Sequence, residues 1–336
     1  MRIIEDFQLK GQNTFGLDIK AKYYAEISKI DEIKELYSSY SSSPIMILGG
    51  GSNILFSKDY DGLMIKNLIK GIKKVYENED IVLIEAGAGE VWEDFVQYTV
   101  DNNWGGLENL SLIPGTVGAS PIQNIGAYGT EIKDVFEELK GYNLETGEVS
   151  AFSLAQCRFG YRDSVFKREL KGKFVVTSVT YRLCKNPQID IKYEALRSEL
   201  EKLGIESPTV KQVSEIVCNI RRSKLPDPKI VGNAGSFFKN PEISDSHYQK
   251  LLSLHNDIPG YKTGNNTIKV PAGWLIQKCG WRGKRLGNVG VYDKQALVLV
   301  NYGGADGNEI IKLSENIKES VKKEFDIWLE TEVNIV

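Results

Sequence analysis

The sequence predicts an α+β fold arranged in two domains. Short apolar strands alternate with glycine clusters through the first two hundred residues, and an amphipathic helix interrupts them. From about Thr209 the chain becomes richer in helical patterns. At 336 residues it is long enough for two domains with a substantial core. We therefore expect a first domain over residues 1–205 and a second over residues 206–336.

The strands and the helix of the first half are predicted from the positions of glycine turns and the spacing of apolar residues. "PIMILGGGSNILF" predicts a strand, a glycine turn and a second strand, and "IVLIEAGAGE" repeats that pattern. "VWEDFVQYTVDNNWGG" places apolar residues at helical spacing and ends on Gly105 and Gly106, so it predicts a helix. "KFVVTSVTYRL" is rich in β-branched residues and predicts a long strand.

The second half is predicted in the same way. "TVKQVSEIVCNIRRSKLPDP" carries one apolar helical stripe and closes on basic residues and prolines. "ALVLVNY" predicts a strand, and "NEIIKLSENIKESVKKEFDIWL" a long helix. The final "TEVNIV" alternates like a strand, which we expect to pack back onto the first domain.

Composition excludes several classes of function. The chain is 41% hydrophobic and 26% charged, which is ordinary for a soluble globular protein. A net charge of -3 gives no electrostatic footprint for nucleic acid, and no apolar run approaches the roughly 20 residues that span a membrane. The first residues lack a signal core, and the four cysteines show no metal-binding spacing. We expect a cytoplasmic protein with reduced thiols, no metal, and neither nucleic-acid nor membrane partners.

Two glycine-rich stretches are candidates for ligand binding. "GGGSNIL", Gly49 to Leu55, follows a strand and can aim backbone N–H groups at an anion. It is not a dinucleotide fingerprint, because Ile54 stands where the third glycine belongs. "IPGTVGASPIQNIGAYG", Ile113 to Gly129, can follow a flat ligand and hydrogen-bond its edges. A plain glycine turn and a long surface loop are the respective alternatives.

Three further stretches carry chemistry-bearing side chains. "CRFGYRDSVFK" presents Arg158 and Arg162 beside aromatic residues, which suits carboxylate or phosphate recognition, with a surface salt bridge as the alternative. "WLETEVNIV" places Glu330 and Glu332 on one face of a strand, where they could act together. The alternative is that both are ordinary surface carboxylates. "GNAGSFFKNP" sets Ser236 between a glycine and two phenylalanines.

Ser236 does not fit a serine hydrolase. The nucleophile elbow G-x-S-x-G fails, because Phe238 stands where its second glycine belongs. The chain has two histidines, both in a polar stretch shortly after the serine. Lys224, Lys239 and Asn240 surround it with groups that could hold an anionic ligand.

These motifs in this order resemble the UDP-N-acetylenolpyruvoylglucosamine reductases, a family of bacterial flavoenzymes. The resemblance runs from about Thr14 to Val333, and it is carried by "GGGSNIL", "IPGTVGASPIQNIGAYG", "YRDSVFK", "KLPDP", "GNAGSFFKNP", "AGWLI" and "LETEV". It implies an FAD-binding domain of the PCMH/vanillyl-alcohol-oxidase type, made of two α/β subdomains, followed by a smaller α+β substrate-binding domain. It also implies NADPH as hydride donor and UDP-N-acetylglucosamine enolpyruvate as the nucleotide-sugar substrate, reduced to UDP-N-acetylmuramate in peptidoglycan precursor synthesis.

The resemblance also implies roles for individual residues. Ser236 matches the family's proton donor, Arg162 its catalytic arginine and Glu332 its catalytic glutamate. The implied substrate-binding residues are Tyr193, Lys224, Ser236, Asn240, Gln295 and Glu332. Tyr193 lies in an insertion typical of the long form of the family, where a tyrosine loop folds over the diphosphate. The implied FAD-binding residues are Gly49, Gly50, Gly51, Ser52, Asn53, Ile54, Leu55, Pro114, Gly115, Thr116, Val117, Gly118, Ala119, Ser120, Ile122, Gln123, Gly126, Ala127 and Arg162.

Some alternatives remain open at this point. Thr331 replaces a proline that is common in the family, so Glu330 competes with Glu332 for the catalytic role. A flavin oxidase of the same superfamily and a non-catalytic flavin- or nucleotide-binding module are the competing functions. Convergence of Arg162, Ser236 and Glu332 would argue against the module. Both histidines lie outside the first domain, so we expect FAD to be bound noncovalently, and we expect a monomer.

Overall fold

The computed structural model describes residues 2–189, 191, 193–264 and 266–336. Its strands are β1 (Ile3–Gln8), β2 (Lys20–Ile27), β3 (Ile45–Leu48), β4 (Ile54–Leu55), β5 (Tyr60–Asn67), β6 (Ile72–Glu77), β7 (Ile81–Gly87), β8 (Gly126–Ala127), β9 (Thr130–Glu131), β10 (Phe136–Asn143), β11 (Val149–Ser153), β12 (Phe174–Cys184), β13 (Gly232–Ser236), β14 (Glu242–Ser244), β15 (Tyr261–Lys262), β16 (Thr267–Lys269), β17 (Arg285–Leu286), β18 (Val289–Val291), β19 (Val298–Asn301) and β20 (Asn334–Ile335).

The α-helices are α1 (Ile30–Tyr40), α2 (Trp92–Asp101), α3 (Leu154–Cys157), α4 (Glu194–Lys202), α5 (Val210–Lys224), α6 (Asp245–Leu254), α7 (Ala272–Lys278) and α8 (Gly307–Phe325). Short 3-10 turns lie at Lys10–Gln12, Glu108–Leu110, Val117–Ala119, Ile132–Asp134 and Val165–Lys167. Strands and helices are mixed along the chain in mostly antiparallel sheets, so the predicted α+β class is confirmed.

The chain forms two compact units, and both are discontinuous in sequence. The first consists of the residues up to Phe7 together with Ala21–Gly50 and Tyr60–Arg222, and the second of Gln8–Lys20, Gly51–Asp59 and Ser223–Val336. The compact division therefore falls in the last turn of α5, between Arg222 and Ser223, whereas the sequence predicted a domain boundary at residue 205. The reason is that the apolar stripe of α5 packs with α4, while Val210 joins the main core of the first unit.

The first unit contains a small, partly parallel sheet with strand order β1-β2-β5-β3. Strands β2 and β3 both run parallel to β5, and α1 connects them. Parallel neighbours need such a crossover. Ile33 and Leu36 of α1 pack onto Ile65 of β5 in a core cluster. The strand and turn predicted over "PIMILGGGSNILF" are confirmed, with β3 ending directly before the glycines.

The second sheet of this unit has the order β11-β10-β12-β7-β6 and is antiparallel. Residues of β7 alternate between buried and half-buried, as expected when one face covers a core. Trp92 and Phe95 of α2 pack against Tyr181 of β12, with ring centroids 5.9 and 5.0 Å from the tyrosine. The helix predicted over "VWEDFVQYTVDNNWGG" and the long strand predicted over "KFVVTSVTYRL" are confirmed.

The second unit is built on the sheet β13-β19-β18-β17, with α8 packed beside it, and on a smaller sheet β14-β16-β15. Asp306 caps α8 by accepting hydrogen bonds from the backbone N–H groups of Asn308 and Glu309. The final residues form only the two-residue strand β20, which pairs in parallel with β4. This partner comes from the N-terminal half of the sequence, but it belongs to the second compact unit.

Two further features concern the cysteines and the apolar character of the helices. The four cysteines form no disulfide; Cys157 and Cys218 are buried, while Cys184 and Cys279 are partly exposed. Among the described residues, none of the helices combines the length and apolar character needed to cross a membrane.

Candidate active site

Two glycine loops of the first unit lie directly against each other. One is the turn after β3, at Gly49 and Gly50, and the other is the stretch around Gly115 and Thr116. A Cβ atom built on Gly50 would stand 2.7 Å from the Cα atom of Gly115, and one on Gly49 would stand 2.7 Å from the Oγ1 atom of Thr116. A larger residue at Gly50 would drive the loops apart, whereas one at Gly49 would press on the side chain of Thr116. The need for glycine is therefore steric, because the backbones approach each other too closely for a side chain.

Backbone donors at this contact are unpaired. Within the described chain, the N–H groups of Gly50, Gly115 and Thr116 have no hydrogen-bond acceptor. Backbone N–H groups in a folded protein nearly always find a partner. We call these three neighbouring donors the anion nest, because free backbone N–H groups of this kind are what proteins use to bind anions such as a diphosphate. The residues present fit the diphosphate of FAD, which supports the prediction made from "GGGSNIL".

The rest of the second loop is fixed by the core of the first unit. Val117 is fully buried, and a Cβ atom on Gly118 would stand 2.5 Å from that of Ala88. The hydroxyl of Ser120 donates to the carbonyl of Val117 and lies 2.8 Å from the hydroxyl of Tyr181. That hydroxyl is occupied inside the protein, so any contribution of Ser120 to FAD binding comes from its backbone or from packing. Among the other predicted residues of this loop, Ile122 and Ala127 pack against the same core.

The predicted residues that follow Gly50 belong to the second unit. Gly51 adopts a φ of 63°, and a Cβ atom there would overlap the carbonyl oxygen of Gln12. Ile54 and Leu55 are buried in β4. The backbone oxygen of Asn53 accepts a hydrogen bond from the side-chain amide of Asn334. The apolar pair therefore anchors the loop to the chain end.

Arg162 occupies a tight turn of the first unit. Its backbone is in the left-handed region, with a φ of 53°, between Gly160 and Asp163, which bridge each other. The Nη2 atom of its guanidinium donates to the carbonyl oxygen of Gly126 at 2.6 Å. Left-handed backbone is unfavourable for arginine, and such strain concentrates at functional sites. The structure thus joins Arg162 to the end of the second glycine loop.

The neighbouring charges of this turn pair with one another. Arg158 meets Glu169 at 2.6 Å, with each side chain 53% exposed. Asp163 accepts a hydrogen bond from Arg168, which also donates to the carbonyl of Arg158. Arg158 therefore forms a surface salt bridge, which was the alternative to carboxylate or phosphate recognition.

Ser236 lies at a bulge in the second unit, and the bulge explains its sequence context. Ser236 ends β13 opposite Val298, and the pairing register shifts between Asn233 and Ser236. Gly235 sits inside that shift with a φ of 70°, a conformation that favours glycine. Bulges of this kind redirect the following side chain. Phe237 and Phe238 are buried and anchor the chain just beyond it.

Glu332 lies next to the segment that follows Ser236. Its backbone N–H donates to the carbonyl of Phe237 at 2.8 Å, and Thr331 bridges Phe238. Glu332 is half-buried. Glu330 has a side chain that is 73% exposed, and it meets Lys239 at 3.2 Å. The predicted regular strand is absent from residues 326–333, but the structure does bring the serine and glutamate segments together.

The remaining predicted substrate residues are placed by separate elements. Tyr193 precedes α4, and its ring meets that of Tyr128 edge-on with centroids 5.2 Å apart. Lys224 ends α5 and is exposed. Asn240 accepts a hydrogen bond from the first N–H of α7, and Gln295 accepts one from Leu297. Tyr193 lies in the first unit and the other three in the second.

A buried polar cluster in the first unit was missed by the sequence analysis. Arg221 of α5 donates to the carbonyl of Leu112, which has a φ of 60°, and interacts with Tyr128 and Glu93. Burial lowers the pKa of Arg221 and raises the pKa values of Tyr128 and Glu93. The signal available was an arginine directly after the apolar stripe of α5. Leu112 directly precedes the second glycine loop and Tyr128 lies near its end, so Arg221 contacts the chain at both ends of that loop.

Comparison with known proteins identifies the class first. A family model described as "FAD binding domain" matches residues 21–153. This range includes both glycine loops. Together with the anion nest, this defines the chain as an FAD-binding flavoprotein. A second family model, "UDP-N-acetylenolpyruvoylglucosamine reductase, C-terminal domain", matches residues 227–336, where Ser236 and Glu332 lie.

Full-length relatives define the family. UDP-N-acetylenolpyruvoylglucosamine reductase of Flavobacterium johnsoniae is 48% identical, with both chains covered completely. The reductase of Pseudomonas aeruginosa is 44% identical over 100% of this chain and 99% of its own. The chain belongs to the UDP-N-acetylenolpyruvoylglucosamine reductase family. The crystal structure of the reductase from Thermus caldophilus shares the fold, with a TM-score of 0.69, 22% identity, and coverage of 100% of this chain and 99% of that one.

Proposed function

We propose that this chain reduces UDP-N-acetylglucosamine enolpyruvate to UDP-N-acetylmuramate with NADPH through bound FAD, a step of peptidoglycan precursor synthesis. The observation that carries the proposal is the end-to-end identity of 48% with a reductase of that family. The two abutting glycine loops with their free N–H groups support the use of FAD. The predicted flavoenzyme class and the predicted cofactor FAD are confirmed, and NADPH as hydride donor stays a prediction.

The glycine loops of the first unit hold the cofactor. The N–H groups of Gly50, Gly115 and Thr116 bind its diphosphate, and the absence of side chains at Gly49 and Gly50 lets the anion approach the backbone. When bound there, FAD would supply the hydride chemistry between NADPH and C3 of the enolpyruvyl group.

Arg162 stabilises charge on the substrate. Hydride addition at C3 pushes electrons toward the neighbouring carboxylate and creates an enolate. A guanidinium remains cationic at every working pH and presents paired donors to a carboxylate. The bond from Arg162 to the Gly126 carbonyl and its tight turn hold the guanidinium in place before substrate arrives. Preorganisation of this kind makes electrostatic stabilisation effective.

Ser236 gives the proton that C2 of the substrate requires. Its hydroxyl has no hydrogen-bond partner among the described residues, so it remains available to a ligand. The bulge at Gly235 fixes the backbone from which the hydroxyl projects. A positioned general acid typically raises the reaction rate by about 10²–10⁴-fold. Tyr193, Lys224, Asn240 and Gln295 are proposed to hold the nucleotide sugar.

Glu332, rather than Glu330, is proposed as the catalytic carboxyl group. We expect Glu332→Gln to lower kcat by about 100-fold or more, because a group that shares the developing charge or its proton is lost. Glu330→Gln serves as the matched control and should change kcat less than about twofold, because its carboxylate is exposed and paired only at the surface. Steady-state turnover of NADPH measures both variants. The reverse ranking would reassign the role to Glu330.

Turnover of NADPH separates the proposed function from its alternatives. We expect rapid NADPH oxidation only when the enolpyruvyl nucleotide is present. A flavin oxidase would instead use an alcohol or sugar as donor and molecular oxygen as acceptor. A non-catalytic module would bind flavin or nucleotide without turnover. Either of these results would refute the reductase assignment.

FAD is proposed to be bound without a covalent link. Neither histidine lies in the first unit, since His247 and His255 both belong to the second. We expect acid precipitation of the purified protein to release all yellow colour into the supernatant, where chromatography identifies it as FAD. Yellow colour that stays with the precipitate would contradict this prediction.

A monomeric state and a cytoplasmic location complete the proposal. Both agree with an ordinary charged composition. Sedimentation of the purified holoprotein measures the first, and fractionation of cells the second.

A further inference from the structure

Lys66 directly follows the apolar middle of a strand, and its side chain reaches the first glycine loop. It lies in β5, where its neighbours Met64 and Ile65 are completely buried. Its register partner in β3 is Leu48, the last residue before the glycines. The Nζ atom of Lys66 donates to the carbonyl oxygen of Gly49 at 2.6 Å.

The geometry of one peptide unit connects this bond to the anion nest. The carbonyl of Gly49 and the N–H of Gly50 belong to the same planar trans peptide and point in opposite directions. By holding the carbonyl oxygen on its own side, Lys66 fixes the Gly50 N–H on the other side. That N–H is one of the three donors that have no acceptor within the described chain.

The charge of Lys66 has no carboxylate at bonding distance among the described residues. Glu26 is its register partner in β2, but the carboxylate of Glu26 accepts a hydrogen bond from Tyr24 at 2.9 Å. Burial lowers the pKa of Lys66, and the negative charge of Glu26 offsets part of that effect. Burying a cation without a close counter-ion is unfavourable. An anion bound on the neighbouring loop would compensate this cost.

We propose that Lys66 is a positioning residue for the cofactor: it orients the Gly49–Gly50 peptide and adds a positive charge behind the nest that binds the FAD diphosphate. The inference rests on the proposed use of FAD. It concerns the diphosphate and not the isoalloxazine ring. Lys66 should therefore matter for FAD and hardly at all for riboflavin, which has the same ring but no phosphate.

Lys66→Met tests the proposal, because methionine keeps the length and apolar stem but loses the charge and the donor. Dissociation constants for FAD and for riboflavin are measured on the full chain after flavin removal, by quenching of flavin fluorescence. We expect the affinity for FAD to fall about tenfold or more, as for loss of a hydrogen bond with a charged partner. The affinity for riboflavin should stay within about twofold. Lys22→Met is the matched control, since Lys22 is an exposed lysine of β2 that pairs with Asp61.

The outcomes separate this inference from the proposed function. Equal weakening of both flavins would mean a merely structural role for Lys66, and unchanged FAD binding would mean no role; either result overturns the inference. Failure of the wild-type chain to bind FAD would instead refute the use of FAD itself.

A pH profile of the wild-type chain gives a second readout that needs no variant. A bound diphosphate favours the protonated ammonium, so FAD affinity should be highest where Lys66 is protonated and should fall as the pH rises through its pKa, which burial places below 10.5. Taking the ratio of FAD to riboflavin affinity cancels titration of the shared ring. A ratio that stays flat up to pH 10.5 would contradict the proposal.

Discussion

Replacing Ser236 by alanine is expected to leave flavin reduction by NADPH nearly unchanged and to slow reoxidation by the enolpyruvyl nucleotide about 10²–10⁴-fold, the range typical of a general acid. The reason is that the first half-reaction requires no proton at C2, whereas the second ends with protonation of that carbon. Single-turnover measurements of flavin absorbance follow each half-reaction separately.

The bulge at Gly235 means that Ser236→Ala should change the hydroxyl and leave the surrounding fold intact. Ser236 is half-buried, Gly235 carries the unusual backbone, and the two following phenylalanines carry the packing. Alanine at 236 therefore removes the hydroxyl without disturbing the core. Ser253→Ala is a suitable control, because that exposed serine bonds only its own helix. Equal slowing of both half-reactions would reject the role of proton donor.

Gly50→Ala is expected to have the second largest effect. The new Cβ atom would stand 2.7 Å from Cα, 3.2 Å from C and 3.3 Å from N of Gly115, all of which are backbone atoms. Backbone cannot rotate away as a side chain can, so the two glycine loops must separate. Overpacking of this kind typically costs about 1–3 kcal/mol. We expect FAD affinity to fall by about 100-fold, because the donors of the nest no longer converge on one anion.

Fluorescence quenching measures the loss of FAD affinity, and thermal unfolding of the flavin-free chain measures the loss of stability. Gly11→Ala is the matched control, because nothing lies within 4 Å of its built Cβ atom and its backbone is not left-handed. Wild-type FAD affinity in Gly50→Ala would show that the contact between the loops is irrelevant to the cofactor.

Local sequence patterns carry information about glycine loops, but they carry less about how distant segments group into compact units. Glycine runs have a local steric meaning, so "GGGSNIL" and "IPGTVGASPIQNIGAYG" could be assigned to anion and ligand binding before any coordinates were known. In the structure, Gly50 and Gly115 bring the two stretches into contact. Their unpaired N–H groups could not be predicted, because hydrogen bonding of a loop depends on the whole surrounding backbone.

The predicted boundary at residue 205 rests on local composition, which does not show against what a helix packs. The change in composition near Thr209 marks the start of α5, but the direction in which its apolar stripe faces depends on partners distant in sequence. Likewise, β4 follows directly on a loop of the first unit, yet it pairs with a strand 280 residues later. Lys66 was missed because a single lysine after a short apolar run resembles an exposed position at the end of a strand. Only its bond to Gly49 reveals where the ammonium points.

The pairing of β4 with β20 has a consequence for biosynthesis. Asn334 donates to the carbonyl of Asn53 across a separation of 281 residues, so this contact cannot form until position 334 has been translated and has left the ribosome. Contacts of such high sequence separation also slow folding. Strand β4 therefore stays without its partner β20 until that point of synthesis. Glu332, two positions before Asn334, likewise reaches the carbonyl of Phe237 only late in synthesis.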